Sequence, residues 1–335
     1  MLALKVPLKD AERWKRYLSD NDLFDHEYRF KKEDKHIYFP IRKGFKAKGM
    51  PTIVDIKLDP AKENGTLKEK LSEKLTKKEM ELVKAAHDVI GNIAILEIPK
   101  GLEKKEKLIA RTLLKANAQV KTVLKKAESH QGMFRTQKMK FLAGIDTREA
   151  TYKENNVVLK LDVEKVYFSV RLSSERKRIA GQVNSGEEIL VMFSGCAPYC
   201  VVLSKNTKAK HILGIEINPQ GHRYGLENIR LNKCRNVELI CADVHDVKLK
   251  QKFDRILMPL PKTADEFLDD ALKAAKKGTI VHFYDFLEEG KFGEAHEKII
   301  TACRKKKMKC KILGTVKCGQ HAPRIFRICV DFMVS

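Results

Sequence analysis

The chain has 335 residues, 43% hydrophobic and 33% charged, with 67 Lys and Arg against 44 Asp and Glu for a net charge of +23. That length allows two or three domains with a substantial core, and no stretch approaches the ~20 uninterrupted apolar residues of a membrane span. Met1–Pro7 lacks the apolar core of a secretory signal, so a soluble cytoplasmic protein is expected, with no membrane partner.

The basic residues are spread along the chain, which favours a polyanionic partner because phosphate contacts release counterions. A lysine-rich surface set by the source organism's way of life is the competing account. The cysteines, Cys196, Cys200, Cys234, Cys241, Cys303, Cys310, Cys318 and Cys329, form no Cys-x-x-Cys pair. They read as reduced structural thiols, with no metal site expected.

In chain order, Asp10 can cap a helix whose Ala11, Trp14 and Leu18 share a face, and His36–Ile41 reads as a strand. Gly, Pro and Lys with weak periodicity over Lys43–Gly65 suggest a linker, leaving a small α+β module at residues 1–55. Leu67, Leu71, Leu75, Met80 and Leu82 predict an amphipathic helix over Thr66–Ala86. A strand pair or kinked strand around Gly91, a helix Lys104–Ala116 and a strand near Gln119–Leu124 follow. Strands at Met133–Ala143 and Thr151–Leu161 complete a mixed α+β region, residues 66–165.

Glu187–Phe193 is a short apolar strand running into Ser194-Gly195-Cys196-Ala197-Pro198, and His211–Ile215 is a second apolar strand ending on Glu216. A carboxylate about 20 residues past the turn glycine is the spacing at which nucleotide-binding α/β units meet ribose hydroxyls. The alternation continues with helix Pro219–Asn232, strands Asn236–Cys241 and Phe253–Leu257, helix Ala264–Lys276, strand Gly278–Asp285, helix Glu294–Lys306, and strands Lys309–Lys317 and Arg324–Phe332. This predicts an α/β, doubly wound Rossmann-type domain over 166–335, its last two strands antiparallel at one edge.

The turn at Gly195 carries one glycine, whereas a dinucleotide pyrophosphate needs close backbone approach at several positions. S-adenosyl-L-methionine has no phosphate and fits better. Glu216 would then hold the ribose and Asp243 would face the adenine, although both could instead cap the following helices. Met258-Pro259-Leu260-Pro261-Lys262 would wall the transferred methyl group, or merely end a strand.

Val166-Tyr167-Phe168-Ser169-x-Arg171-Leu172-x-x-Glu175-Arg176, Met192-Phe193-Ser194-Gly195-x-x-Pro198, Glu216-Ile217-Asn218-Pro219, Leu226-x-Asn228-Ile229-x-Leu231-Asn232, Leu260-Pro261-Lys262 and Ala322-Pro323-Arg324 together resemble the archaeal and eukaryotic tRNA guanosine-37 N1-methyltransferase family. Phe134-Arg135 and Leu142-Ala143-Gly144 extend the resemblance over nearly the whole chain. It implies an N-terminal domain that contacts the outer corner of tRNA, a middle domain and a catalytic domain binding adenosylmethionine.

On that resemblance Arg135 supports the guanine carbonyl, Glu175 removes the base proton, and Pro259 completes the catalytic set. Phe193, Gly195, Pro198, Glu216, Asn218, Asp243 and Pro259 would hold the cofactor, and Tyr167, Arg171, Arg176, Lys262 and Arg324 the tRNA. A carboxylate and a cation suit the chemistry, because guanine N1 is protonated and charge develops on O6 as the proton leaves. A monomer acting at position 37 of tRNA-Phe is expected.

Three departures stand out: Pro259 replaces an asparagine, Val191 an acid, and Cys196-Ala197 a Val-Gly pair. Loss of the amide beside the target base points to the archaeal variant branch, with methylation of a ring carbon (C7) of the tricyclic wyosine-type base as the main or added activity. A tRNA-binding protein of the same fold with weakened catalysis is the alternative. A methyltransferase for exocyclic amines would carry Asn-Pro-Pro-aromatic where this chain has Pro259-Leu260-Pro261-Lys262.

Overall fold

The computed structural model describes residues 1–25, 27–47, 49–60, 67–83, 87–127 and 132–335. Two compact units result, Met1–Lys74 and Leu75–Ser335. In the first, strands β1 (Leu2–Pro7), β2 (Lys31–Glu33), β3 (His36–Pro40) and β4 (Ile53–Asp55) form an antiparallel sheet in the order β2-β3-β1-β4. Helix α1 (Ala11–Asp20) buries Trp14 and Leu18 in one cluster with Leu4, Val6 and Phe39. The expected linker at 43–65 therefore contains an edge strand, since Ile53 pairs with Leu4. Three residues are too few to show a period.

The amphipathic pattern after residue 66 forms two short helices, α2 (Leu67–Ser72) and α3 (Lys77–Leu82), not one. Thr76 starts the second: its hydroxyl accepts from Glu79 N–H while the Glu79 carboxylate accepts from Thr76 N–H, a capping box. The ends of the expected helix, residues 66 and 84–86, lie outside the described residues.

Strands β5 (Asp88–Ile90), β6 (Ile93–Leu96), β7 (Thr122–Lys126) and β8 (Met139–Gly144) form the next sheet, with β6 and β7 parallel and helix α4 (Glu106–Ala116) between them in sequence. Gly91 turns β5 into β6 at φ +59°, where a Cβ would lie 1.9 Å from the Thr151 carbonyl oxygen. No other residue fits there. The single strand expected at Thr151–Leu161 is instead a hairpin of β9 (Glu149–Glu154) and β10 (Val157–Asp162). Its turn is Asn155-Asn156, both at positive φ, the primed geometry that matches strand twist.

The large sheet follows: α5 (Ser173–Ala180), β11 (Glu188–Met192), α6 (Pro198–Asn206), β12 (His211–Glu216), α7 (Pro219–Leu231), β13 (Val237–Cys241), β14 (Phe253–Met258), α8 (Leu268–Ala274), β15 (Ala275–Glu288), α9 (Gly293–Lys305), β16 (Cys310–Ala322) and β17 (Ile325–Val334). Its order is β13-β12-β11-β14-β15-β17-β16, with β17 antiparallel to both neighbours and the other pairs parallel. The doubly wound expectation holds, including the antiparallel edge. Helix α8 stops at Ala274 because Ala275 already pairs with Phe253. Among the described residues no helix is long and apolar enough to cross a membrane.

Two asparagines of the α7 region join the hairpin to the large sheet. Asn228, fully buried, accepts from Lys160 N–H at 2.7 Å and donates to the carbonyls of Lys160 at 3.0 Å and Cys196 at 2.9 Å. Asn232 accepts from Val158 N–H at 2.9 Å and donates to its carbonyl at 2.6 Å. The pair mimics a missing strand edge, which is why both side chains are amides. Asn228→Ala leaves three backbone groups without this partner, the Cys196 carbonyl among them buried, and a loss of about 3 kcal/mol is expected in urea unfolding; a change below about 1 kcal/mol would refute this bridge.

Candidate active site

An open parallel sheet leaves a crevice at the carboxyl ends of its strands where the strand order reverses. Here the reversal lies between β11 and β14, and a cavity of about 440 Å³ opens there. Its floor is the turn after β11. Phe193, Gly195 and Ala197 all adopt left-handed backbone, at φ +60°, +58° and +63°, a costly run for non-glycine residues. Pro198 at the first position of α6 ends the turn.

Glu216, at the end of β12, ties the turn to the next loop. One carboxylate oxygen accepts from Gly195 N–H, the other from Asn218 N–H at 2.8 Å. Burial raises its pKa, against the pull of these two amides. Asn218 caps α7 through Gln220 N–H and donates to the Lys165 carbonyl at 2.7 Å, so its side chain braces the cavity wall. Asp243 accepts from His245 N–H at 3.0 Å. Phe193 meets Phe267 edge-on at 4.7 Å, and Phe267 stacks on His245 at 4.2 Å. Phe193 was expected at the cofactor from its motif, whereas Phe267 and His245 carried no sequence signal of their own.

Phe193, Gly195, Pro198, Glu216, Asn218, Asp243 and Pro259 all line this cavity, with Arg135, Tyr167 and Arg176. Ser194 also lines it, and among the described residues its buried hydroxyl has no partner. An orphan hydroxyl beside a preset carboxylate fits a polar nucleoside ligand such as adenosylmethionine. Val191 is fully buried in mid-strand and does not line the cavity, so its departure from an acid leaves the wall unchanged. Ala197 fits at its left-handed position opposite Gly225, where a Cβ would approach the Ala197 Cβ at 3.3 Å.

A second cavity of about 490 Å³ shares Gly132, Arg135 and Val166–Ser169 with the first. Arg135, at φ +50° in the turn before β8, reaches Thr263 Oγ1 at 3.5 Å. Burial lowers its pKa, and the charge of Arg327 adds to this. Arg171 and Lys262 line the second cavity, Arg171 already bound to Asp88 at 3.0 Å.

Three expected residues are placed differently. Arg176 is buried and gives its guanidinium to Glu154 and the Ser169 carbonyl while lying over Phe168 and Tyr199. Such a group holds the wall, with Nε and Nη2 committed to Glu154 and the Ser169 carbonyl. Arg324 occupies the tight β16–β17 turn at φ +59° and lines neither cavity. Glu175, also buried, is absent from both linings.

Arg178 grips Glu175 at 2.7 and 2.8 Å and turns its other edge to Asp331 at 2.6 and 3.2 Å. His282, on β15, contacts Asp331 through Nδ1 at 2.7 Å and Arg255 through Nε2 at 2.8 Å. His282, Cys329 and Asp331 cluster at metal-ligand spacing. Both Asp331 oxygens accept from Arg178, however, and two guanidinium groups flank the cluster, an environment hostile to a cation.

The chain matches the TRM5/TYW2 methyltransferase domain over residues 150–313, with the TYW2 N-terminal domain at 67–147 and the tRNA methyltransferase 5 N-terminal domain at 3–48. It is 36% identical over 335 residues to the tRNA (guanine(37)-N(1))-methyltransferase Trm5b of Pyrococcus abyssi, covering 100% of this chain and 99% of the relative. The chain belongs to the TRM5/TYW2 methyltransferase family. Another relative, the tRNA (guanine(37)-N(1))/4-demethylwyosine(37)-methyltransferase Taw22 of Nanoarchaeum equitans, is 32% identical over 298 residues, 72% of this chain and 98% of that one. Among solved structures in the family, the complex of aTrm5 with tRNALeu superposes with TM-score 0.73 at 30% identity, covering 100% of both chains. Methanocaldococcus jannaschii Trm5 bound to adenosine gives 0.68 at 29%, covering 100% of this chain and 99% of that one.

The buried charges also set the family member's acid stability. For Asp331, burial is outweighed by His282 and Arg178, which hold it well below its ordinary value, while burial depresses His282. Both groups bind more protons unfolded than folded as pH falls, so each loses stability on acidification. The urea midpoint should fall first near the ordinary histidine value of about 6.5 and again below about 3.9, and Asp331→Asn should flatten the second phase. An unchanged second phase in that variant would show that Asp331 does not drive it.

Proposed function

We propose that this chain transfers the methyl group of S-adenosyl-L-methionine to the nucleotide at position 37 of tRNA-Phe, guanosine N1 being the first acceptor. The observation that carries the reading is the shared wall: Arg135 and Tyr167 line both the cavity bearing the Glu216 clamp and the adjoining basic cavity. Full-length similarity to Trm5b of Pyrococcus abyssi supports guanosine.

The cofactor, when bound, supplies a methyl group on a sulfonium sulfur. Glu216 would accept from ribose hydroxyls, Ser194 would engage a polar group of the ligand, and Asp243 with Phe193 would enclose the base. Arg135 would donate to the guanine carbonyl, and Glu175 would receive the N1 proton. Lys262 and Arg171 would face the anticodon loop. The unit that includes residues 1–55 would contact the outer corner of the tRNA, residues 66–165 would act as the middle domain, and the net charge of +23 would draw in the polyanion. A cytoplasmic monomer is the simplest form.

A second acceptor is favoured by Pro259, a wall residue with no amide to offer a guanine edge. Such a wall suits the larger tricycle, whose ring carbon would take the methyl group, as the name of Taw22 records for that relative.

Incubating the protein with methyl-labelled donor and tRNA-Phe carrying guanosine or the tricycle tests both. Label on guanosine N1 is expected, and label on neither would overturn the reading. Calorimetry with S-adenosylhomocysteine separates a noncatalytic tRNA binder, which would show no heat at millimolar ligand. Pro259→Asn should shift the ratio of labelling toward guanosine, and an unchanged ratio would remove Pro259 as the selector. Glu216→Ala should weaken adenosine at least about 10-fold; unchanged affinity would remove it from the cofactor site.

A further inference from the structure

Tyr199 lines the first cavity, and its hydroxyl heads a buried chain of polar groups. Its oxygen lies 3.0 Å from Tyr284 Oη, and Tyr284 donates to Glu175 Oε1 at 2.7 Å. A phenol has one hydrogen, and Tyr284 spends its own on the carboxylate, so Tyr199 must donate to Tyr284. The chain thus has a single direction, Tyr199 to Tyr284 to Glu175, with lone pairs left on the Tyr199 oxygen.

Beyond Glu175 the network continues through Arg178, Asp331, His282 and Arg255 to Glu187, which takes two bonds from Arg255 at 2.7 and 2.9 Å. Arg255 can only donate, so His282 Nε2 accepts, and Nδ1 carries the hydrogen given to Asp331. His282 is therefore neutral. Among the described residues, Glu175, Asp331 and Glu187 are then hydrogen-bonded to two cations, Arg178 and Arg255, and the buried network holds one negative charge in excess. Uptake of one proton neutralises it.

Glu175 is the carboxylate best placed to take that proton. Asp331 accepts from Arg178, His282, Gln182 and the Cys329 thiol, and Glu187 from Arg255 and two Asn184 groups. Glu175 accepts from Arg178 and Tyr284, with Cys318 and Cys329 as its other titratable neighbours. Burial favours its neutral form, although Arg178 leaves its pKa below the ordinary value. If Glu175 is protonated, Arg178 still has Asp331, so no bare guanidinium is left buried.

We propose that Tyr199 and Tyr284 relay the proton released by the acceptor base to Glu175, which ends the relay without touching the base. The inference rests on the methyltransferase reading above. For guanosine, the N1–H bond breaks and its electron pair forms the bond to the methyl carbon. The proton passes to the Tyr199 oxygen as Tyr199 gives its own to Tyr284 and Tyr284 its own to Glu175. Both phenols end neutral, and the donor's positive charge and the carboxylate's negative charge disappear together. The relay also explains how a carboxylate outside both cavities can serve as the base.

Tyr199→Phe removes one oxygen and keeps the ring. With the full chain and tRNA-Phe transcript, Tyr199→Phe and Tyr284→Phe should each lower the single-turnover rate at least about 10-fold, with S-adenosylhomocysteine and tRNA affinities within about twofold of wild type. Tyr199→Phe combined with Glu175→Gln should be no slower than Glu175→Gln alone, because both cut one path. A readout independent of turnover is the Glu175 carboxyl followed by carbon-13 NMR, whose pKa should rise in Tyr284→Phe as the phenol donor is lost. A full-rate Tyr199→Phe beside an impaired Glu175→Gln, multiplying effects in the double variant, or an unmoved Glu175 titration would each overturn the relay alone. An inactive wild type would overturn the methyltransferase reading and the relay together.

Discussion

The carboxylate of Glu216 is the constraint on which the cavity depends. It receives the Gly195 amide from the turn after β11 and the Asn218 amide from the loop after β12, so two loops at adjacent strand ends are held by one side chain. Gly221 lies close by, where a Cβ would approach Glu216 Cγ at 3.2 Å. The left-handed turn from Phe193 to Ala197 is worth its conformational cost because it aims the Gly195 amide at this carboxylate. Everything else in the cavity is arranged around a group already ionisable, oriented and mostly dry.

Behind the cavity lies a second polar assembly, from Tyr199 to Glu187, that crosses α5, α6, β14, β15 and β17. Buried ion pairs of this kind seldom add net stability, since desolvation offsets the attraction, yet losing one partner is severe. Their value here is placement: Arg178 fixes Glu175 relative to Tyr284, and Asp331 fixes Arg178. Arg176 and Glu154 do the same for the hairpin β9–β10 and the cavity wall.

Much of the large sheet was legible in the chain. The apolar runs at Ile189–Met192, His211–Ile215 and Phe253–Leu257 stand out because parallel strands are buried on both faces. Turns were harder: the Asn155-Asn156 hairpin hid in what looked like one alternating strand, and the short edge strand at Ile53 hid in a Gly- and Pro-rich stretch. The acids at strand ends, Glu216 and Asp243, were visible from spacing. Arg176 pairs with Glu154 and Arg324 sits in the β16–β17 turn, places that a charge in a motif does not reveal.

The sequence by itself determined the alternation of strands and helices, the cofactor class implied by a sparse-glycine turn followed by an acid, and the basic charge that calls for a polyanion. These are local or summed properties, and neighbouring residues suffice to express them. Only the tertiary structure decided that Arg135 and Tyr167 are shared by two cavities, that Asn228 and Asn232 replace a strand edge, and that Glu175 sits behind the cavity wall, linked to it through Tyr284 and Tyr199. Those facts join residues far apart in the chain, 128 positions for Arg135 and Thr263, and such pairings leave no period or spacing in the chain to be read.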